Sequence, residues 1–280
     1  MLGKETLFSY IKKLGFGKKT GIDLNGEATG ILFNMDRIGP VELATTAFGQ
    51  GVSVTPIQQV SAVSAIINGG NLYKPYIVLN DGVKSYSSEL KEKNIVSSET
   101  SSLVRYALES VVANGSGRNA YIENYRVGGK TGTAQKVGND GKYMKGNYVL
   151  SFIGFLPADN PEFVVYIAID NAKGVTQYGG IVSAPIAKNV MEDLISLYDI
   201  ESDIDGIPKS YRWDDIKYTT IPNLVGLTKK EVKKLLKGFE VIFVGDGDLV
   251  IDSQPSSLSR VKEGSTIKVL LNWLFSTFLL

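Results

Sequence analysis

The 280-residue sequence predicts an α+β fold: a larger unit in which helices cover an antiparallel sheet, followed by a small α+β unit. Three observations predict it. Apolar residues recur at helical spacing through the first half of the chain, switch to a period of two between Val127 and Ile169, and return to helical spacing from Ser183. The stretch Asp199 to Trp213, rich in Asp, Ser, Gly and Pro, then interrupts the pattern. Beyond it, a segment of about 60 residues, near the lower size limit for independent folding, carries its own helix start and its own strands.

In the first unit, Leu7, Tyr10, Ile11 and Leu14 share a helical face that Gly15 and Gly17 end. Lys19 to Leu24 reads as a short strand with a turn at Asn25-Gly26. Pro40 to Phe48 reads as a short helix or turn, and Gly49-Gln50-Gly51 as a tight break. Pro56 opens a helix, where its missing N–H costs nothing. This helix carries Ile57, Val60, Val63, Ser64 and Ile67 on one face and ends at Asn68-Gly69-Gly70. Lys74 to Val78 is extended, and a polar, serine-rich stretch follows. Thr100 to Val112 is helical, with Leu103, Tyr106, Ala107, Ser110 and Val111 in phase, and Asn114 to Gly117 reads as a flexible loop. Strands follow at Val127–Lys136, Tyr148–Leu156 and Phe163–Asp170, with Pro157 to Pro161 as the hairpin turn that makes the last two antiparallel. Ser183 to Tyr198 then forms a helix whose Ile186, Val190, Met191, Leu194 and Ile195 cover one side of the sheet.

In the second unit, Ile221 to Gly226 is extended and Thr228 with Glu231 forms a capping box. Val232, Leu235 and Leu236 give the helix one apolar face, and strands follow at Glu240–Val244, Leu249–Ser253 and Thr266–Leu270. The boundaries read from this pattern are 1–198 for the first unit, 199–216 for a linker, 217–272 for the second unit and 273–280 for an apolar tail.

Composition removes whole classes of chemistry. Apolar residues make up 43% and charged residues 21%, so a packed core is expected. A net charge of +1 lacks the basic excess of a nucleic-acid binder, and no nucleic-acid partner is expected. There is no cysteine and no histidine, which removes thiolate chemistry, histidine-based triads and the commonest zinc ligand; no cofactor or metal is expected. A nucleophile here needs a lysine, a carboxylate or a tyrosine as its base. Met1 to Glu5 does not read as a signal peptide, and no run reaches the roughly 20 apolar residues of a membrane helix.

The segment that carries chemistry is Gly128-Gly129-Lys130-Thr131-Gly132-Thr133-Ala134. A strand edge pairs with an extended peptide through main-chain hydrogen bonds. An ammonium and two hydroxyls beside that edge suit a carboxylate. Gly132 removes a side chain where another backbone or ligand comes close, and a backbone N–H on the strand can face a developing oxyanion. A Lys-Thr-Gly alone means little, because a second copy stands at Lys19-Thr20-Gly21.

Longer segments in order along the chain resemble class B penicillin-binding proteins, in which Lys-Thr-Gly joins Ser-x-x-Lys and Ser-x-Asn in one catalytic signature. They are Gly15-Phe16-Gly17-x-Lys19-Thr20-Gly21-Ile22-Asp23-Leu24, Glu42 to Gly51 with Thr55-Pro56-Ile57-Gln58, Val111-Val112-x-x-Gly115-Ser116-Gly117, and Phe152 to Pro157. Ile221 to Thr228 with Glu231, and Gly264 to Val269, resemble the opening and end of a PASTA domain. The resemblance implies a penicillin-binding transpeptidase fold that cross-links peptidoglycan stem peptides, is acylated by β-lactams, and stands on the outer side of a membrane to which the intact protein is anchored. It implies membrane glycosyltransferase, division or sporulation proteins as partners. It places Lys130, Thr131, Gly132 and Thr133 at the substrate and makes Lys19-Thr20-Gly21 a structural segment. No serine has asparagine two residues on, and the Ser-x-x-Lys matches at Ser9–Lys12, Ser88–Lys91 and Ser265–Lys268 fall in poor settings, Ser9 after the point where the family's nucleophile stands. The expectation is therefore a truncated chain with no catalytic nucleophile of its own; the alternative is a non-catalytic module that binds cell wall or muropeptide. The lysines at 229, 230, 233, 234 and 237 read either as a solvated helix face or as a contact to anionic wall polymer.

Overall fold

The computed structural model describes residues 2–80, 82, 87–138, 140–210 and 218–272, which divide into two compact units between Lys209 and Ser210. The tail at 273–280 and the linker's 211–216 lie outside the described residues. The first unit is built on an antiparallel sheet ordered β3-β4-β5, with β3 at Gly128–Val137, β4 at Tyr143–Leu156 and β5 at Phe163–Asp170. Helix α5 (Gly179–Tyr198) covers one face: its Ala184, Ala187 and Met191 join Phe152, Leu156 and Val165 in a core. On the other face Phe155 packs with Ile67 and Val63 of α3 (Pro56–Ile67) and Leu108 of α4 (Ser98–Asn114). Two further helices, α1 (Lys4–Lys13) and α2 (Pro40–Ala47), and a two-stranded ladder of β1 (Leu72–Lys74) with β2 (Glu89–Glu92) complete the unit.

The glycines before Lys130 have a packing cause. Gly129 pairs with Gly154 across β3 and β4, and the Phe152 ring lies over both; a Cβ at either position would run into that ring. Gly128 leaves the same room for Phe155 on the opposite face. Burying Phe152 and Phe155 completely is worth about 2–3 kcal/mol each by area, and it needs a strand with no side chains beneath them.

Several sequence expectations are corrected. Lys19 to Leu24 is not a strand, because the N–H groups of Thr20 and Gly21 go to the Glu27 carboxylate and not to a neighbouring strand. On α1 the buried residue is Phe8, and Tyr10 is exposed. On α4 the phase is displaced: Leu103 and Tyr106 are 70% and 62% exposed, while Ser101, Glu109, Val112 and Ala113 are buried. On α5 Met191, Leu194 and Ile195 face the core as expected, but Ile186 and Val190 are exposed and the inward residues of the first turns are small (Gly179, Gly180, Ser183, Ala184, Ala187). The α3 helix has no single core face: Gln58, Ala62, Ala65 and Ile67 are buried.

The start of the expected linker belongs to the first unit. Asp199 ends α5 in the left-handed region, Ile200 packs on the main core, and the Asp203 N–H donates to the Asn124 carbonyl. The Ile207 N–H donates to buried Glu109, whose carboxylate also takes two hydrogen bonds from Arg126.

In the second unit, β10 (Thr266–Leu271) lies between β7 (Glu240–Val244), parallel to it, and β8 (Val250–Gln254), antiparallel. A short ladder of β6 (Tyr218–Thr220) with β9 (Arg260–Lys262), absent from the sequence reading, stands beside it. Helix α6 (Lys229–Leu235) starts at the expected capping box, with the Thr228 N–H and hydroxyl both donating to Glu231. Val232 and Leu236 are buried in the core of this unit, but Leu235 is exposed.

Candidate functional site

Strand β3 pairs on one side only, with β4, and so presents a backbone edge among the described residues. Alternation along the strand sends Lys130 to one face and Thr131 and Thr133 to the other. The register agrees: Lys130 stands opposite Ile153 and Thr131 opposite Phe152, which belong to the two different faces. Lys130 is exposed, its Nζ donating to the Thr131 carbonyl at 2.8 Å, and no carboxylate among the described residues forms an ion pair with it.

The two threonines are held from behind by residues the sequence reading did not assign to the site. Thr131 Oγ1 shares a 2.8 Å hydrogen bond with Ser116 Oγ, so its hydroxyl is already engaged within the fold. Thr133 is exposed, and its Oγ1 accepts from the Gly179 N–H at 3.3 Å, the first residue of α5. Gly179 and Gly180 let that helix start against the strand: a Cβ on Gly179 would collide with the carbonyls of Ser151 and Gly132, and one on Gly180 with the carbonyl of Ser116. Asn119 Nδ2 donates to the Gly180 carbonyl at 2.8 Å. The Ser116 loop is thus tied to the strand and the helix, with Gly117 buried and its N–H bonded to the Val111 carbonyl. The Gly-Gly pair before a helix was a readable signal; Ser116 stood only within a resembling segment.

At Gly132 the nearest atom to an added Cβ is the hydroxyl of Ser151, so within the fold it is this side chain that takes up the space. Ser9 and Lys12 both lie exposed on α1, and Lys91 of the second Ser-x-x-Lys pairs with Glu89. No helix among the described residues is long and apolar enough to cross a membrane, and no three acidic side chains among them converge as metal ligands.

The second Lys-Thr-Gly has a different fate. The Thr20 N–H and hydroxyl and the Gly21 N–H all donate to Glu27, at 2.6, 2.5 and 3.0 Å. Burial raises the Glu27 carboxyl, but these hydrogen bonds outweigh it and hold the group below the usual range. A recess of about 340 Å³ opens beside this copy, lined by Leu14, Lys18, Ser61 and Leu72 among others and by no residue of β3.

An edge strand bearing Lys-Thr-Gly-Thr, backed by a glycine-started helix and set in a three-stranded sheet, defines a penicillin-binding transpeptidase domain, and residues 1–192 match the family model described as "Penicillin binding protein transpeptidase domain". The chain belongs to that family. Residues 219–272 match the PASTA domain. The sequence is 55% identical over 277 residues to stage V sporulation protein D of Bacillus subtilis (strain 168), covering 96% of this chain and 43% of that relative. Among solved structures, the transpeptidase domain of penicillin-binding protein 3 from Burkholderia pseudomallei matches with a TM-score of 0.63 at 30% identity, over 71% of this chain and 59% of that one. Penicillin-binding protein 3 from Mycobacterium tuberculosis, complexed with ampicillin, matches with a TM-score of 0.62 at 29% identity, over 72% and 47%. The chain spans less than half the length of the curated relatives it matches.

Proposed function

We propose that β3 is the substrate strand of a serine-type peptidoglycan D,D-transpeptidase, with Lys130 and Thr133 meeting the terminal carboxylate of a stem peptide or the carboxylate of a β-lactam. The observation that carries this reading is the exposed Lys130 and the exposed Thr133, whose hydroxyl accepts from the Gly179 N–H and keeps its own proton to donate, on an edge strand with unused backbone groups. An extended peptide adds to such an edge by main-chain hydrogen bonds, and its carboxylate supplies the counter-charge that Lys130 lacks. Thr131 is assigned to positioning, since its hydroxyl is bonded to Ser116. The residues of this sequence provide no Ser-x-Asn, and Ser9 lies exposed, so acyl transfer is assigned to none of them. The reading carries with it an extracytoplasmic location, where the wall peptides are.

The test is an NMR titration of the full chain with an acyl-D-Ala-D-Ala peptide. Binding in the range of about 1 mM is expected, with shifts at residues 130–133 that disappear in Lys130→Ala and with a peptide amidated at its carboxyl end. Mass spectrometry after incubation with penicillin should show no covalent adduct. Shifts that avoid β3 would overturn the substrate-strand reading. A penicillin adduct abolished by Ser9→Ala would overturn the assignment of the nucleophile.

A further inference from the structure

Five of the nine residues from Lys229 to Lys237 are lysines, and one is an acid, Glu231. On a helix of 3.6 residues per turn, lysines 229, 230, 233 and 234 fall within about 140° of arc, opposite the buried Val232 and close to the next turn, where Lys237 stands. Such a run is ordinarily neutralised by i,i+4 acids, and the one acid in reach is Glu231. Its carboxylate is turned to the helix start instead, accepting from the Thr228 N–H at 2.9 Å and the Thr228 hydroxyl at 2.7 Å. These bonds hold its carboxyl below the usual range. The other nearby acid on this sheet, Glu240, accepts from the Thr266 hydroxyl. Among the described residues none of the five lysines forms an ion pair with a carboxylate. Lys233 lies over the Phe243 ring at 5.9 Å, which fixes one cation on the surface without removing its charge. Lys230, Lys233, Lys234 and Lys237 are exposed.

We infer that this stripe binds a linear polyanion of phosphodiester-linked polyol, a poly(glycerol phosphate) chain of the cell wall. The lysine pairs four residues apart step along the helix by roughly 6 Å, the same order as the repeat of a polyol phosphate chain. A flexible polymer with one charge per repeat can therefore meet several ammonium groups at once, without the shaped pocket that a single anion needs. The wall as the source of the polymer rests on the transpeptidase reading, but the site shares no residue with β3. Its function would be to hold the chain against the wall while the transpeptidase unit meets its peptide.

The experiment is calorimetric titration of the full chain with delipidated poly(glycerol phosphate) at several salt concentrations. Wild-type binding should weaken with salt with a log–log slope of about −3, the value for some four released counterions. Replacing Lys230, Lys233, Lys234 and Lys237 with glutamine, a residue of similar helix propensity, should lower affinity at least tenfold and flatten the slope. Lys4, Lys12 and Lys13→Gln on α1 serve as the charge control and should leave binding unchanged. Circular dichroism and the melting transition of both variants establish that the fold is kept. Unchanged affinity in the α6 variant, an equal loss in the α1 variant, or tighter binding to phosphatidylglycerol vesicles than to the polymer would each overturn the inference. Failure of the peptide titration at β3 with intact polymer binding would sink the transpeptidase reading alone.

Discussion

Replacing Glu109 with alanine should loosen the end of the first unit far more than a surface charge substitution would. Glu109 is 3% exposed, and its two oxygens take three hydrogen bonds: from Arg126 Nε at 3.1 Å, from Arg126 Nη2 at 2.8 Å and from the Ile207 N–H at 3.0 Å. Breaking a fully buried ion pair by removing one partner costs about 3–5 kcal/mol. Here the cost is smaller, because the Arg126 side chain is 21% exposed and keeps Asp203 at 3.7 Å and Asp159 at 3.9 Å. A loss of about 2 kcal/mol for the pair and about 1 kcal/mol for the Ile207 hydrogen bond gives about 3 kcal/mol in all. For a unit of this size that lowers the melting temperature by about 6–12 °C. Differential scanning calorimetry reads the shift, and limited proteolysis reads its location: cleavage should accelerate between Asp199 and Lys209, the segment Glu109 fastens. Glu109→Gln should lie between wild type and alanine, since an amide oxygen can still accept from Ile207. A melting temperature within about 1 °C of wild type, or a large shift with no new cleavage in that segment, would refute the role given to Glu109.

Two further outcomes follow from the same contacts. Gly180→Ala puts a Cβ onto the Ser116 carbonyl and within 3.3 Å of Thr131 Cγ2; overpacking of this kind costs about 1–3 kcal/mol, and NMR shifts should spread through residues 116, 131 and 133, whereas confinement to residue 180 would contradict the wedge. For Glu27 the folded carboxyl is held low, so its contribution is complete above the unfolded value of about 4.3 and fades as pH falls through the folded one. The melting-temperature gap between wild type and Glu27→Gln, about 3 °C at pH 7 if the carboxylate is worth about 1 kcal/mol, should close below about pH 4; a gap that widens on acidification would contradict this.

The three strands were readable because the sequence from Val127 to Ile169 has a period of two, and the pairing of β4 with β5 because the proline-rich turn at Pro157 to Pro161 joins them. The phase of α4 was not, and the reason is specific. Hydropathy counts a glutamate as surface, but Glu109 is buried by Arg126, 17 residues later, and its burial rotates Leu103 and Tyr106 outward. In the first turns of α5 the inward positions are glycine, serine and alanine, so close approach and not apolar size decides which side faces the sheet there, before Met191 takes over the contact. On α3 the polar Gln58 faces inward because its amide is fully used: Oε1 accepts from the Thr55 N–H, and Nε2 donates to the carbonyls of Lys18 and Thr29. In each case a pairing distant in sequence overrides a local pattern. Lys130 and Thr133 could be nominated from the sequence because they are local to one strand. Ser116, Gly179 and Gly180 come from two other segments and meet the strand only in three dimensions.

The two copies of Lys-Thr-Gly show what turns a tripeptide into a site. Each offers backbone N–H groups, a hydroxyl and an ammonium, the parts that suit a carboxylate. At Lys19 the hydroxyl and the N–H groups are satisfied from within: Glu27 takes the Thr20 hydroxyl and the N–H groups of Thr20 and Gly21, so the segment is a loop closed on its own carboxylate. At Lys130 the strand is bonded on one side only, and Thr131 is satisfied by Ser116 while Lys130 meets no carboxylate among the described residues. The difference lies in where the nearest carboxylate is. In the first copy it is seven residues along the chain, and it makes structure. In the second no described acid forms an ion pair with the ammonium, and this unmet charge is what the proposed carboxylate ligand would meet.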